Sequence, residues 1–224
     1  HIHGLFVALH TALVASARLI FLSKFDAGHV IEALPRATMF MGVPTYYVRL
    51  LQESSLDAER CKNMRLFISG SAPLLTETFN AFRTRTGHTI LERYGMSETG
   101  MNTSNPLEGE RKAGTVGRAL PGVDVRVVDE RDQVLAADGI GAIQVRGPNV
   151  FAGYWRRPEL NDAEFTRDGF FRTGDMGKFD RDGYLSIVGR SKDIVISGGL
   201  NIYPKEIESY LDEIEGVQES AVIG

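Results

Sequence analysis

The chain has 224 residues, 43% of them hydrophobic and 24% charged, which describes an ordinary globular protein and excludes disordered and fibrous classes. Its net charge of −4 supplies no basic field for wrapping nucleic acid. The lone cysteine, Cys61, cannot close an internal disulfide, so it reads as a structural thiol in a reducing compartment.

The apolar run from Leu5 to Ala17 is interrupted by His10 and Thr11 and stops at Arg18. It is too short and too polar to span a bilayer and reads as a buried helix over residues 5–16. A strand over 19–22, a helix over 30–34 and a strand over 37–41 follow. Pro44 opens a helix through Leu51, in the first-turn position that proline tolerates. Residues 65–69 read as strand. Residues 76–86 read as a helix with Phe79 and Phe82 on one face and Gly87 ending it. This alternation implies an α/β fold with a helix-covered, mostly parallel sheet.

From about Gly122 the rhythm changes. Val123, Val125 and Val127 alternate with polar residues, as do Ile143 and Val145, and Asp138-Gly139 and Asp182-Gly183 mark turns. That is a β-rich subdomain. After Arg190 the pattern changes again, and Pro204 begins an amphipathic helix with Ile207, Leu211 and Ile214 at helical spacing. The expected division is an α/β part over 1–121, a β-rich subdomain over 122–190, and over 191–224 a hinge with the start of a small α+β domain. The chain opens without Met and stops at Val222-Ile223-Gly224 in strand-like sequence, so an internal piece of a longer protein is expected. No signal peptide is visible. Cytoplasm is the default location, with the mitochondrial matrix open to a chain whose missing start carries a transit peptide.

Four clusters carry polar chemistry. Ser69-Gly70-Ser71-Ala72-Pro73 joins a strand to a helix; its small residues let backbone N–H groups approach a ligand, or they simply make a tight turn. Glu92-Arg93-Tyr94-Gly95-Met96-Ser97-Glu98-Thr99 follows the strand-like Thr89-Ile90-Leu91. It is expected at the end of a sheet, where ligands bind in open α/β folds, or else as a solvated turn. In Asp168-Gly169-Phe170-Phe171-Arg172-Thr173-Gly174-Asp175, the last carboxylate follows a Thr-Gly turn; it can accept from two ribose hydroxyls or cap the turn. Finally, Gly189-Arg190-Ser191-Lys192-Asp193 leads through a short strand into Gly198-Gly199, which permit positive φ and close backbone approach.

In this order and spacing the four clusters resemble the adenylate-forming superfamily of acyl-CoA synthetases, luciferases and peptide-synthetase adenylation domains. The resemblance covers the whole chain. His1-Ile2-His3-Gly4-Leu5-Phe6, the octet at 92–99 and the run from Gly198 to Glu208 are most similar to its malonyl-CoA synthetase branch. The resemblance implies an ATP-dependent acid–thiol ligase of fatty-acid metabolism. A carboxylate attacks the α-phosphate of ATP, releasing pyrophosphate, and the thiol of coenzyme A then displaces AMP after a domain rotation. By the same resemblance residues 1–121 are the second half of a large adenylating domain. Ser71, Ala72, Pro73, Glu92 and Tyr94 surround the adenine, Ser97 contacts the phosphate, and Glu98 is the Mg²⁺ ligand. Asp175 accepts from the ribose with Arg190 beside it, and Lys192 marks the hinge between two half-reactions. Gly198 and Gly199 border the coenzyme A tunnel, with Lys24 either a contact to its phosphate or a solvated lysine. His1 matches a gating residue beside the reacting carboxylate.

Arg93 bears on the acid. Many relatives have glycine before this tyrosine, whereas a buried guanidinium without a partner costs several kcal/mol (order of magnitude). A second carboxylate on a short substrate such as malonate would supply that partner bidentately, with Ile2, His3, Met96 and Met101 shaping a small pocket. Internal pairing of Arg93 with Glu92 or Glu98 is the rival. Arg49 is either a second clamp or a surface residue. The acid could also be methylmalonate, acetate or an aryl acid, and a non-catalytic nucleotide- or acyl-binding module is the alternative from another class. The superfamily's phosphate loop and its adenylating lysine are expected outside these residues, so the fragment by itself is not expected to turn over.

Overall fold

In the computed structural model, which describes residues 3–197, 200–212, 214, 216–217 and 220–223, only helical segments precede the first strand, and strands and helices then intermingle as far as Met96. Two units are distinguished: His1–Ser97 with Ser104–Gly114, and Glu98–Thr103 with Thr115–Gly224.

The first unit opens on a wide π-helical turn, His3–His10, that runs into α1 (Thr11–Val14). The helix expected here exists but is not a buried one, since Leu5, Phe6, Leu13 and Val14 are all more than half exposed in this chain. The strand expected over 19–22 does not form; the segment is irregular and Phe21 is exposed. Alternating or apolar sequence makes a strand only where a neighbour accepts its backbone hydrogen bonds, and among the described residues none lies beside it. Then come α2 (Ala27–Ala33), β1 (Met39–Gly42), α3 (Pro44–Gln52), α4 (Ala58–Cys61), β2 (Leu66–Ser69), α5 (Thr76–Thr86) and β3 (Ile90–Met96). Asp26 caps α2 by accepting from His29 N–H at 2.9 Å, Pro44 starts α3, and Gly87 at φ +77° stops α5, each as its residue type dictates.

β1, β2 and β3 pair in parallel, and their register aligns Gly42 with Ser69 and Ser69 with Glu92, so β1 and β2 end level with Glu92 while β3 continues to Met96. The sheet as a whole is mixed and only partly parallel, not the mostly parallel sheet expected. One face of β2 and β3 packs on α3 and α5 through Tyr47, Phe67, Phe82 and Ile90, all fully buried. Phe82 meets Tyr47 and Phe67 edge-on at 5.3 and 4.8 Å between ring centres, and the Tyr47 hydroxyl donates to the Ile68 carbonyl at 2.6 Å. Cys61 is buried in the same core, as expected of a structural thiol, and burial pushes it up to about 11. On the other face Leu91 packs with Leu66, Ile68 and Met41.

The polar octet does not start where the sheet ends. Its first five residues, Glu92 to Met96, are inside β3, and only Ser97 to Thr99 turn. Successive side chains of a strand point to opposite faces. Glu92 therefore shares a face with Ile90, where it is 4% exposed and one oxygen accepts from Leu74 N–H at 3.0 Å. Burial, partly offset by that bond, pushes its carboxyl up to about 8.

In the second unit β4 (Gly100–Ser104) and β5 (Arg118–Ala119) precede an antiparallel four-stranded sheet of β6 (Asp124–Val128), β7 (Gly141–Arg146), β8 (Phe171–Phe179) and β9 (Leu185–Arg190) in sequence order, with α6 (Pro158–Glu164) inserted before β8. This is the β-rich section that alternation in the sequence implies. Thr173-Gly174-Asp175, expected as a turn, lies inside β8, because Gly174 takes φ +73° without leaving the strand. A hairpin of β10 (Val195–Ser197) and β11 (Leu200–Ile202) then leads to α7 (Pro204–Asp212). Gly198 and Gly199, like His1 and Ile2, lie outside the described residues.

Two stability predictions follow from the first unit. Phe82→Ala should remove about 3–5 kcal/mol, read as a lower urea midpoint at unchanged slope. Because folded Glu92 holds its proton above its ordinary 4.5, the folded state binds more protons than the unfolded state between that value and about 8, and stability falls as pH rises through this window. Glu92→Gln should flatten that decline in urea titrations run from about pH 5 to about pH 8; an equally steep decline would reassign it to another group.

Candidate functional site

At the carboxyl edge of β2 the chain leaves the sheet through Gly70 and enters α5 by way of Ser71, Ala72 and Pro73, all three exposed. Ser71 is held at φ +71°, a strained setting for a residue with a side chain, and strain of this kind gathers at ligand sites. Its Oγ shares a hydrogen bond with His3 Nδ1 at 3.0 Å. Gly70 lies close against two neighbours. A Cβ on it would lie 3.2 Å from the His3 ring and 3.4 Å from the Arg93 carbonyl oxygen, so His3, Gly70 and Arg93 are in close approach. His3 is 7% exposed, and its Nε2 is buried with no hydrogen-bond partner. Burial first, and then the charge of Arg93, lower its pKa and keep the ring neutral.

Arg93 points away from Glu92 by the strand repeat, which removes the pairing between them that the sequence allowed. Its Nη2 reaches only the Met41 sulfur, at 3.5 Å, and its Nε is buried without a partner. No carboxylate is in ion-pair distance of it among the described residues, and burial lowers its pKa. Tyr94 is buried, Met96 is half-buried and Ser97 is exposed. The Glu92 carbonyl accepts from both the backbone and the side-chain nitrogen of Asn105, at 2.9 and 3.2 Å, which fixes the strand carrying these groups.

In the second unit, Asp175 and Arg190 are opposite one another in the register of β8 and β9, with Arg190 Nε 2.9 Å from Asp175 Oδ1. Asp175 is buried and Arg190 is half exposed. The Asp175 amide donates to Thr173 Oγ, and that hydroxyl donates to the Ile143 carbonyl. Ser191 Oγ donates to the Gly174 carbonyl, and exposed Lys192 follows in the short turn Ser191–Asp193. Glu98 is half-buried and takes the Tyr154 hydroxyl on Oε1 at 3.2 Å. Its other oxygen accepts no hydrogen bond among the described residues. No group of three or more His, Cys, Asp or Glu side chains is gathered among them either, so the described residues offer no all-protein metal cage. One free carboxylate oxygen, completed by water and substrate phosphates, is a donor set that suits Mg²⁺.

Of the other sequence candidates, Met101 is half-buried in β4, Lys24 is exposed before α2, and Arg49 is exposed on α3, so neither cation is gathered with Arg93 into a second clamp by any contact described. Sequence reasoning missed Tyr154, Asn149 and Asn161. Asn149 Nδ2 donates to the carbonyls of Thr99 and Met101 at 2.7 and 3.2 Å, and Tyr154 meets Glu98 across 56 positions of chain. A Gly-Tyr pair followed by Trp155 was the only local signal. No helix among the described residues is long and apolar enough to cross a membrane.

A family model described as AMP-binding enzyme matches residues 1–155. All of this chain aligns with a malonate–CoA ligase of Arabidopsis thaliana at 41% identity, covering 40% of that protein. It also aligns with a probable CoA ligase, CCL8, of Humulus lupulus at 44% identity, again covering 40%. The chain thus spans less than half the length of the curated relatives it matches. Among solved structures, ATP-bound MatB from Rhodopseudomonas palustris superposes with a TM-score of 0.97 at 58% identity over all of this chain and 45% of that one. A malonyl-CoA ligase product complex holding methylmalonyl-CoA and AMP matches with a TM-score of 0.80 at 43% identity over all of this chain and 49% of that one. The chain belongs to the AMP-binding enzyme family.

Proposed function

We propose that the complete protein carrying this chain joins malonate to coenzyme A at the expense of ATP, giving malonyl-CoA, AMP and pyrophosphate. The observation that carries the choice of acid is Arg93, a part-buried residue whose Nε is buried without a partner and which no carboxylate neutralises among the described residues. Such a group is stable only if something supplies charge and acceptors. The distal carboxylate of a short diacid supplies both, in the planar fork that arginine grips. Neutral His3, with an unpartnered Nε2 close by, adds one further hydrogen bond while carrying no competing charge. The malonate ligases among the relatives support this reading.

The remaining residues serve the nucleotide and the metal. Buried Asp175, oriented by Arg190, accepts from the ribose hydroxyls, and Glu92, Tyr94 and the 71–73 loop border the adenine. Ser97 presents its hydroxyl to the phosphate. Glu98 holds Mg²⁺, which supplies charge neutralisation at the phosphates. Lys192, just past β9, is the hinge that lets one site serve adenylation and then thioester formation, with Gly198 and Gly199 at the coenzyme A tunnel. The same guanidinium admits methylmalonate, so the test spans both diacids.

Arg93→Gly in the complete ligase should raise the KM for malonate and methylmalonate roughly a hundredfold or more, the cost of a lost charge-assisted pair, while activity on acetate persists or rises. Equal losses for diacids and monoacids in a pyrophosphate-release assay would sink the pocket assignment. Asp175→Ala should raise the KM for ATP roughly tenfold to a hundredfold, the loss of hydrogen bonds to a charged acceptor. An unchanged KM for ATP would make the Asp175–Arg190 pair structural only.

A further inference from the structure

Residues 149–154 grip the turn at Glu98 at four points. Asn149 Nδ2 donates to the carbonyls of Thr99 and Met101, Phe151 N–H donates to the Glu98 carbonyl at 2.8 Å, and the Tyr154 hydroxyl donates to the Glu98 carboxylate at 3.2 Å. The first three fix backbone. Only the fourth acts on the side chain that would meet the metal.

Tyr154 is itself fixed without using its hydroxyl. Its ring meets Phe151 edge-on at 4.8 Å, and Phe151 packs edge-on against Phe171 at 5.4 Å. Its backbone is bracketed by one side chain of α6: Asn161 Oδ1 accepts from Tyr154 N–H at 2.7 Å, and Asn161 Nδ2 donates to the Tyr154 carbonyl at 3.3 Å. Gly153 makes that bracket possible. It takes φ +134°, and a Cβ on it would lie 2.9 Å from the Asn161 amide. Packing and backbone bonds thus deliver a phenol to Glu98, and the hydroxyl is not needed to hold the ring.

We propose that Tyr154 is a positioning residue for Glu98: its hydroxyl holds one carboxylate oxygen and leaves the other for Mg²⁺ on the ATP phosphates. A glutamate carboxylate, carried on three rotatable bonds, otherwise samples misaligned positions, and an ion with strict octahedral geometry penalises misalignment. This inference rests on Glu98 being the metal ligand.

The test measures binding of Mn²⁺, as a paramagnetic probe for Mg²⁺, to the complete ligase in the presence of ATP by electron paramagnetic resonance. Tyr154→Phe keeps the ring and should weaken Mn²⁺ roughly tenfold, as loss of an outer-shell partner does, with metal-free ATP affinity and thermal midpoint unchanged. Glu98→Gln should weaken Mn²⁺ at least as much. In the Glu98→Gln background, Tyr154→Phe should add nothing, because its effect passes through Glu98. Asn161→Ala, which frees the Tyr154 backbone and spares the hydroxyl, should reproduce part of the loss and stands in for Tyr154→Phe if that variant does not fold. Unchanged Mn²⁺ affinity in Tyr154→Phe, or a full further loss in the double variant, overturns the positioning role. Unchanged affinity in Glu98→Gln overturns the metal reading of Glu98 itself, and the two failures are thereby told apart.

Discussion

The two-residue repeat of β3 is the constraint on which the first unit's chemistry depends. A strand that emerges between two packed layers must send neighbouring side chains in opposite directions. Glu92 is thereby committed to the α5 side, where Leu74 N–H receives it, and Arg93 to the side lined by Leu91 and Met41. Two adjacent residues of opposite charge, which in a turn would neutralise each other, are instead kept apart by the backbone. Each must then settle its charge separately. Glu92 does so by holding a proton to about 8, whereas arginine cannot lose its own and is left wanting an anion.

That contrast separates stability from recognition in this chain. Where a buried charge meets a partner within the protein, as Asp175 meets half-exposed Arg190 across β8 and β9, the partners sit opposite in register. Pairs of this kind are neutral to mildly favourable for folding, and removing one member costs more than the pair contributes. Arg93, and beside it His3 Nε2, carry unfilled hydrogen-bonding capacity in a buried place, which folding alone does not reward. The strained backbone at Ser71, whose side chain bonds His3, adjoins the same place.

The second unit meets a comparable problem with hydrogen bonds. The carbonyls of Glu98 and Thr99 in the turn, and of Met101 at the start of β4, take their donors from residues 149–154, far along the chain. Asn149 can do this because an amide offers two N–H groups on one nitrogen, and these are shared among the Thr99 and Met101 carbonyls and the Asn102 side-chain oxygen. The aromatic cluster of Phe151, Phe165 and Phe171 anchors that donor segment to β8.

Much of the order of helices and strands in the first unit, with its proline start and glycine stop, was legible in the sequence, because period, cap and turn chemistry are local. Pro44, Gly87 and the alternation at Val125 and Val127 act within a few residues of themselves. Local pattern misled where a neighbour was required: residues 19–22 have strand composition and no partner strand, and Thr173-Gly174 has turn composition yet stays within β8 because β7 and β9 flank it. Only the tertiary structure decided that Glu92 and Arg93 diverge, that Asp175 meets Arg190 directly, and that Tyr154 reaches Glu98. Each of these is set by register or by packing between distant segments, and no short stretch of sequence encodes which residue a strand's neighbour will place opposite it.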